Sequence, residues 1–228
     1  RHEEKVTAVK STHHDLLLIG DSITQTLGDG TGEYAPLKSV WDKYFVPRHA
    51  LNLGYSGYRT ENILWNLANG ELDQAESPKA VTLLIGTNNT DDQHYPAIHT
   101  ARELFAGTKA IVDLIRQRHP STKILVLRPF PCGGPDEKPD PVTGRAVYHR
   151  SAKALAALRE AGELTRQLAD GKHVFWLDIG HVFLRADGSI NPELMPDRIH
   201  PNTEGAEAWA RAILPTLDAM MAGTTVPG

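Results

Sequence analysis

The sequence has little of several features that define whole classes of protein. Its 228 residues include one cysteine, Cys132, so an internal disulfide framework is excluded. It has no run of basic residues, and the sequence pI of about 6.3 argues against a surface for nucleic acid. No apolar run approaches the roughly 20 residues that a membrane-spanning helix needs. What is present, 40% hydrophobic and 23% charged residues with a net charge of −4, is the composition of an ordinary soluble protein.

No internal repeat, linker or shift in composition divides the chain. We therefore expect a single domain over residues 1–228, with residues 1–14 as a polar lead-in segment that packs loosely. The chain begins at Arg1 without an initiator methionine. Removal of a signal peptide, and hence export, would explain that start, as would trimming of the sequence, and the residues do not separate the two. The sequence determines neither the compartment nor the oligomeric state, and it is compatible with a homodimer.

Short apolar runs alternate with amphipathic stretches along the chain. Runs with the continuity of strands buried on both faces cover residues 16–19, 49–53, 80–85, 123–127 and 173–177. Apolar residues at helical spacing cover residues 60–69, 97–118, 145–169 and 203–221. This alternation predicts an α/β three-layer sandwich with a five-stranded parallel sheet. The flavodoxin-like strand order 2-1-3-4-5 is the commonest for five strands.

Two other stretches are predicted to be loops. Residues 28–32 are rich in glycine but lack the Gly-Lys-Ser/Thr ending of a phosphate-binding loop, so we interpret them as a flexible surface loop. Residues 129–142 are rich in proline, which is typical of a loop that rims a site. Cys132 lies in this second loop outside any metal-ligand spacing, and we expect it to be an inert thiol.

A serine follows directly after the first predicted strand. Gly20 permits a sharp turn there, which places Asp21 and Ser22 at the carboxyl edge of the sheet, where open α/β sheets bind their ligands. On one interpretation Ser22 is a nucleophile, and on the other it only caps a following helix.

A base for that serine is available far along the chain. Asp197 precedes His200 by three residues, in a segment that Pro196 and Pro201 keep from continuing as a regular helix. One turn of chain brings the carboxylate to the imidazole, where it would fix the tautomer and stabilise the imidazolium. Alternatively, Asp197 caps a turn and His200 is an ordinary histidine.

Two further strand ends supply groups that suit an oxyanion. Gly57 follows the second strand, and its backbone N–H can approach a ligand because no Cβ intervenes. Asn88 follows the third strand with a side-chain amide. Each is also a common turn residue. In the order 2-1-3-4-5, however, both flank Ser22, whose own N–H is a third donor.

Four blocks of the sequence carry a family resemblance. In chain order they are Gly20-Asp21-Ser22-Ile23, Gly57 within residues 52–57, Gly86-Thr87-Asn88-Asn89, and Asp197-x-x-His200. With these blocks the chain resembles the SGNH hydrolases of the GDSL esterase and lipase superfamily. Residues 50–89 are similar to the catalytic subunits of type Ib platelet-activating-factor acetylhydrolase and their bacterial relatives. Ile23 replaces the usual leucine of the first block, a change between apolar residues of similar volume.

The resemblance implies a serine-dependent carboxylic ester hydrolase that works through an acyl-enzyme and needs no metal or organic cofactor. It implies Ser22 as the nucleophile, His200 as the base and Asp197 as the partner of that base. The oxyanion donors that it implies are Ser22, Gly57 and Asn88.

The same resemblance bears on the substrate, an ester of a small molecule. We expect Asp21, Tyr58, Asn89 and Tyr95 to line the pocket. Asn89 stands where many relatives carry aspartate, and Tyr58 where the acetylhydrolases tend to have glycine or aspartate, so the pocket wall differs while the chemistry is kept. A short acyl group, best acetyl, is expected because no long apolar lid segment occurs that could line an acyl tunnel.

The alcohol portion of the substrate stays open. A carbohydrate or related acetylated small molecule is one expectation, and a lipid, as in an acetylhydrolase or a lysophospholipase-like esterase, is the alternative. Two alternatives of other classes are a non-catalytic carbohydrate-binding module and an acyltransferase on the same fold. Asp91, Asp92 and His94 could be imagined as a metal site, but we interpret them as part of a solvated polar loop and expect no metal.

Overall fold

The computed structural model describes residues 1–138 and 147–226, which fold into five β-strands and seven α-helices. The strands are β1 Leu16–Gly20, β2 Ala50–Gly54, β3 Ala80–Leu84, β4 Lys123–Leu127 and β5 Val174–Leu177. The helices are α1 His2–Ser11, α2 Ser22–Asp29, α3 Lys38–Tyr44, α4 Thr60–Asn66, α5 Ala101–Arg118, α6 Ala152–Thr165 and α7 Thr203–Ala222. Short 3₁₀ turns cover Gly32–Leu37, Val46–Arg48, Thr87–Thr90, Arg166–Leu168 and Gly180–Phe183, and a π-type turn covers Leu67–Glu71.

The strands form one parallel sheet in the order β2-β1-β3-β4-β5, which confirms the predicted fold class and order. The internal strand β1 pairs with β2 and β3, so Leu18 lies beside Asn52 on one side and Thr82 on the other. All five residues of β1 are buried, which explains why its sequence is an unbroken apolar run. The carboxyl ends of β1, β2 and β3 therefore meet at one edge of the sheet.

Helices cover both faces of the sheet and complete the three layers. Leu16 and Leu18 share a hydrophobic cluster with side chains of α2, α3 and α7, including the buried Trp209. Leu17 and Ile19 share a second cluster with side chains of α1, α4 and α5. Alternate residues of β1 thus serve opposite faces, as the period of a strand requires.

The prediction of a loosely packed lead-in over residues 1–14 is wrong. Helix α1 occupies most of it and docks through the buried Val9. Polar contacts also fix it, because Lys5 Nζ lies 2.7 Å from Asp29 Oδ2 and His2 Nδ1 lies 2.8 Å from Glu71 Oε1. These long-range contacts leave no periodic signal in the local sequence.

The prediction of a loop over residues 28–32 is partly wrong. Helix α2 starts immediately after the first strand and continues to Asp29, so Gly28 is helical. Its helical form fits the close packing of Gly28 on Trp41, whose ring atoms lie within 2.7–3.1 Å of where a Cβ would stand. Only Gly30 to Thr31 remain as a connection to the 3₁₀ turn.

Three predicted helices start or end at other residues. The first stops regular α-geometry at Asn66, because Asn69 and Gly70 adopt non-helical dihedrals, with φ of +116° at Gly70. The second begins at Ala101, where Thr100 and Glu103 form a reciprocal capping box. The third begins at Ala152 under the Ser151 cap and not at residue 145, which with residue 146 lies outside the described residues.

The proline-rich loop is described up to residue 138, and its residues 139–142 lie outside the described ranges. Gly133 N–H donates to Arg198 O at 3.1 Å, so the loop packs on the segment that holds Asp197 and His200. Cys132 is a free, buried thiol, and burial raises its pKa to about 11, as suits an inert side chain. In the part of the chain described, no helix combines the length and apolar character needed to cross a bilayer.

Candidate active site

Ser22 stands at the junction of β1 and α2. Asp21 caps the helix, because its Oδ1 accepts the backbone N–H of Ile23 at 3.0 Å, so the alternative in which Ser22 is the cap is wrong. The turn requires Gly20, since a Cβ there would stand 2.2 Å from Thr24 Oγ1 and 2.4 Å from Leu84 O. Ser22 is consequently the first helical residue, at the carboxyl edge of the sheet.

The histidine and the acid meet this serine across 178 residues of sequence. His200 Nε2 lies 2.8 Å from Ser22 Oγ, and His200 Nδ1 lies 2.7 Å from Asp197 Oδ2. The other carboxylate oxygen, Oδ1, accepts the backbone N–H groups of Ile199 at 2.9 Å and His200 at 2.7 Å. Arg198 turns the chain between them with φ of +71°. Because a carboxylate faces Nδ1, that nitrogen carries the proton of the neutral ring and Nε2 is free to accept the serine proton.

Two carboxylates near the serine have opposite pKa shifts. Burial acts to raise the pKa of Asp197, but hydrogen bonds and charge from His200, with the N–H of Ile199, outweigh it and bring the pKa to about 2. Burial raises the pKa of Asp21 to about 6, against the opposing effects of the Ile23 N–H and the His200 charge. Its Oδ2 has no hydrogen-bond partner among the described residues. Asp197 is therefore anionic at neutral pH, whereas the pKa of Asp21, about 6, lies close to neutral pH.

Two tyrosines that no sequence pattern singles out flank His200. Tyr34 O–H donates to Asp197 Oδ2 at 3.0 Å, and its ring centroid lies 5.5 Å from that of His200. The Tyr148 ring meets His200 edge-on, also at 5.5 Å, and its backbone N–H donates to Asp197 O at 2.8 Å. Both tyrosines lie outside predicted strand ends, so only tertiary packing shows their position.

The predicted oxyanion donors lie at the ends of β2 and β3. Gly57 has φ of +76°, in the left-handed region that favours glycine. Within residues 1–138 and 147–226, its N–H meets no acceptor. Asn88 Nδ2 donates one hydrogen to Tyr58 O at 2.9 Å, which orients the amide and leaves its second N–H available.

Of the four predicted pocket residues, two are not at a pocket surface. Asn89 is fully buried, and its amide contacts the start of α4 through Thr60 N–H at 3.1 Å and Thr60 Oγ1 at 2.9 Å. It also contacts the segment before α5 through His99 Nδ1 at 2.8 Å. Asp21 is buried as the cap of α2. Both residues are at most 1% exposed and form no part of a pocket surface, so this part of the pocket prediction is wrong.

The other two predicted pocket residues lie beside Gly57. Tyr58 is partly buried and stacks on Tyr55 with ring centroids 4.8 Å apart. Tyr95 O–H donates to Gly57 O, and the Arg59 guanidinium lies 5.2 Å from the Tyr95 ring centroid. Tyr95 thereby fixes the peptide next to the N–H that the sequence singled out.

A cavity of about 590 Å³ opens beside Asp197 and is walled by polar and aromatic side chains. This volume lies in the usual range for small-molecule sites. The lining residues are Glu33, Tyr34, Gln93, His94, Val147, Tyr148, His149 and Asp197.

The loop that the sequence suggested as a conceivable metal site has another structure. Asp91 is buried, where Arg150 Nη2 lies 3.2 Å from its Oδ2, so the solvated-loop interpretation is wrong for this residue. Asp92 instead accepts the backbone N–H of Ser151 at 3.3–3.4 Å. No group of three or more His, Cys, Asp or Glu side chains in residues 1–138 and 147–226 could hold a metal ion.

Comparison with known proteins finds similar sequences and similar folds. The model of the GDSL-like lipase/acylhydrolase family matches residues 18–208. Platelet-activating factor acetylhydrolase IB subunit alpha2 of Rattus norvegicus is 34% identical over 200 residues, which is 88% of this chain and 74% of that protein. A GDSL-like lipase of Bacteroides thetaiotaomicron superposes with a TM-score of 0.71 at 14% identity, covering 98% of each chain. An acetylxylan esterase of Geobacillus stearothermophilus superposes with a TM-score of 0.61 at 20% identity, covering 95% of this chain and 98% of that one.

Proposed function

The chain belongs to the GDSL-like lipase/acylhydrolase family, and we propose that it is a serine-dependent acetylesterase acting on an acetylated carbohydrate or a related small molecule. Family membership makes it a carboxylic ester hydrolase. The proposal adds the residues that carry the reaction, the acyl group and the class of alcohol.

The proposed reaction starts with proton transfer from Ser22 Oγ to His200 Nε2 as the oxygen attacks the ester carbonyl. Asp197 keeps the imidazole in the tautomer that can accept this proton and stabilises the imidazolium that forms. The tetrahedral oxyanion binds the N–H groups of Ser22 and Gly57 and the amide of Asn88. His200 then gives the proton to the departing alcohol, and the acyl group remains on Ser22.

Hydrolysis of this acyl-enzyme repeats the sequence with water. His200 takes a proton from the water as it attacks the acyl carbonyl, and the same donors hold the second oxyanion. Collapse releases the carboxylic acid and returns the proton to Ser22. A protein that used a bound alcohol in place of water at this step would be an acyltransferase.

The observation that carries the proposal is the hydrogen-bonded line from Asp197 through His200 to Ser22, with both contacts at 2.7–2.8 Å. A helix cap or a buried histidine needs no such line. It also favours an enzyme over a non-catalytic binding module on the same fold.

Different observations support the proposed acyl group and the proposed class of alcohol. Acetyl is supported by the names of two relatives, an acetylhydrolase and an acetylxylan esterase. A carbohydrate or similar polar alcohol is supported by the polar and aromatic lining of the cavity beside Asp197. The second candidate, a lipid acetylhydrolase, is favoured by the 34% identity to a platelet-activating factor acetylhydrolase subunit.

Replacement of the nucleophile tests the proposal directly. We expect Ser22→Ala to lower kcat for p-nitrophenyl acetate by at least about 10⁴-fold, because no other group supplies the attacking oxygen. The matched control is Ser39→Ala. It removes an exposed hydroxyl on α3 that donates to Pro36 O, and it should retain full activity. Mass spectrometry after reaction with diethyl p-nitrophenyl phosphate should place one adduct on Ser22.

Retained hydrolysis in a folded Ser22→Ala protein would exclude Ser22 as the nucleophile. The acyl group is tested with p-nitrophenyl acetate, butyrate and octanoate, for which kcat/KM should fall with chain length. Equal or rising values would refute the preference for acetyl.

A further inference from the structure

A second aspartate-histidine pair of the same local design lies at the cavity beside Asp197. Asp91 and His94 are three residues apart, and His94 Nδ1 lies 2.8 Å from Asp91 Oδ2. Asp91 Oδ1 accepts the backbone N–H groups of Gln93 at 2.9 Å and His94 at 3.2 Å. This is the arrangement of Asp197 and His200, with the carboxylate binding two backbone N–H groups through one oxygen and the imidazole through the other.

The supporting structure holds this second pair rigidly from behind. Asp91 is buried, and the buried Arg150 faces it with Nη2 3.2 Å from Oδ2. Arg150 is in turn anchored by its backbone N–H on Gly133 O at 2.9 Å and by Nη1 on His149 O at 3.0 Å. The carboxylate that orients the His94 ring is therefore itself held by a buried guanidinium.

The two pairs differ in what the imidazole faces. The His94 side chain is 59% exposed, against 9% for His200. Among the described residues, nothing bonds to His94 Nε2, whereas His200 Nε2 faces the Ser22 hydroxyl. His94 therefore has an oriented ring and a nitrogen directed at solvent or at a ligand, without a nucleophile to activate.

Tyr148 links the second pair to the first. Its ring centroid lies 5.9 Å from the His94 ring and 5.5 Å from the His200 ring. His94, Tyr148 and Asp197 all line the same cavity of about 590 Å³. The cavity therefore borders the first pair through Asp197 and Tyr148, and the alcohol portion of an ester bound at Ser22 is the part of a substrate that could reach it.

We propose that His94 is a substrate-binding residue whose Nε2 accepts a hydrogen bond from a hydroxyl group on the alcohol portion of the ester. The inference rests on the proposed function and narrows its substrate to esters of polyhydroxylated alcohols. With Nδ1 donating to Asp91, the Nε2 of the neutral ring is an acceptor, and a hydroxyl is its natural donor. A lipid tail offers no such group.

Two acetate esters with rings of the same size test this inference. One is methyl β-xylopyranoside carrying a single acetyl group, which keeps two free hydroxyls, and the other is cyclohexyl acetate, which has none. We expect His94→Ala to lower the ratio of kcat/KM for the sugar ester to kcat/KM for cyclohexyl acetate about 10-fold, the loss of one exposed hydrogen bond. The change should appear mainly in KM for the sugar ester.

Conservative and control variants separate binding from a general defect. His94→Gln keeps a hydrogen-bonding amide near the same place and should recover part of the ratio. The control His13→Ala removes another exposed histidine bonded to a carboxylate, Asp15 at 3.1 Å, which lies before β1 at the opposite edge of the sheet. Its ratio should equal that of the wild type.

An unchanged ratio in both His94 variants would overturn the inference, and so would a wild type that prefers cyclohexyl acetate. The proposed function would survive either result as long as Ser22 is required for hydrolysis of both esters. If the wild type hydrolyses neither ester, the function and the inference both fall.

Discussion

In the proposed reaction, Asn88 is an oxyanion donor whose side chain is oriented before a substrate arrives. Its amide is partly buried and already donates to Tyr58 O at 2.9 Å, so its orientation is set by the protein and not by the ligand. The second N–H of the same amide can then bind an oxyanion without reorganisation.

Removal of this amide should therefore act on the rate and not on binding. We expect Asn88→Ala to lower kcat for p-nitrophenyl acetate by about 10²-fold to 10³-fold, as for other oxyanion donors, with KM changed little. Steady-state kinetics checks this. The matched control is Asn69→Ala, whose amide likewise donates to a backbone carbonyl, Trp65 O at 2.7 Å, in the π-type turn. A loss confined to KM would contradict the role of Asn88.

At the level of residues, the sequence predicted which polar groups meet but not what surrounds them. Ser22, Asp197 and His200 could be selected because each follows a predicted strand at the same edge of the sheet. Asn89 was misplaced because a buried amide and an exposed one look alike in sequence; only the structure shows that it holds Thr60 and His99. Tyr34 could not be selected, since no strand end or spacing marks it.

Helix α2 places the serine through a close approach to β2. A Cβ on Gly54 would stand 2.2 Å from Gln25 N and 2.7 Å from Thr24 C, both of them backbone atoms of α2. Asn52 adds a hydrogen bond from its Nδ2 to Thr24 O at 2.7 Å. The helix that begins at Ser22 is thus held against the strand by main-chain contact, with no flexible side chain to absorb a change.

Adding a methyl group at Gly54 should therefore move the helix. We expect Gly54→Ala to lower the free energy of unfolding by about 2–3 kcal/mol and kcat by 10-fold or more, because α2 and Ser22 shift together. Urea unfolding and p-nitrophenyl acetate kinetics measure the two effects. Gly134→Ala is the control, since among the described residues its Cβ would meet only Leu155 Cδ1, at 3.7 Å. Wild-type values in Gly54→Ala would show that α2 can adjust without moving Ser22.

At the level of elements, strands were predicted to within about one residue and helices less well. The strands are buried on both faces, so their sequences are continuous apolar runs with clear ends. Helix α1 was missed because only Val9 among its residues is buried, which leaves no apolar stripe. The start of α5 at Ala101 was set by the Thr100–Glu103 capping box, a signal that is present in the sequence but was outweighed by apolar spacing from residue 97.

Over the whole molecule, the strand order is what brings the site together. Because β1 lies between β2 and β3, the ends that carry Ser22, Gly57 and Asn88 are neighbours. The segment after β5 then returns His200 to the same edge. Because crossovers between parallel strands are right-handed, few strand orders had to be considered, and the topology of the sheet was the most predictable feature. The expectation that residues 1–228 form a single domain stays a prediction.

The stability of the whole molecule should depend on the protonation of Asp21. Burial raises its pKa from 3.8 to about 6, so the folded protein holds this proton over a pH range in which the unfolded chain has lost it. Folding is therefore disfavoured by the Asp21 charge as the pH rises from about 4 to about 6, and the full cost applies above that range. A difference of about two pKa units corresponds to about 3 kcal/mol.

Asp21→Asn isolates this effect, because asparagine can still cap α2 through its side-chain oxygen but carries no charge. We expect the variant to gain up to about 3 kcal/mol in free energy of unfolding over the wild type above pH 7, and no pH-dependent gain below pH 4. The difference between the two urea unfolding curves, measured at intervals between pH 3.5 and 8, checks this, since contributions from other groups cancel. A difference that stays constant over that range would mean that Asp21 ionises in the folded protein as easily as in the unfolded chain. In that case the Asp21 Oδ2, which has no partner within residues 1–138 and 147–226, must be solvated, and the charge would not weaken the junction that holds Ser22.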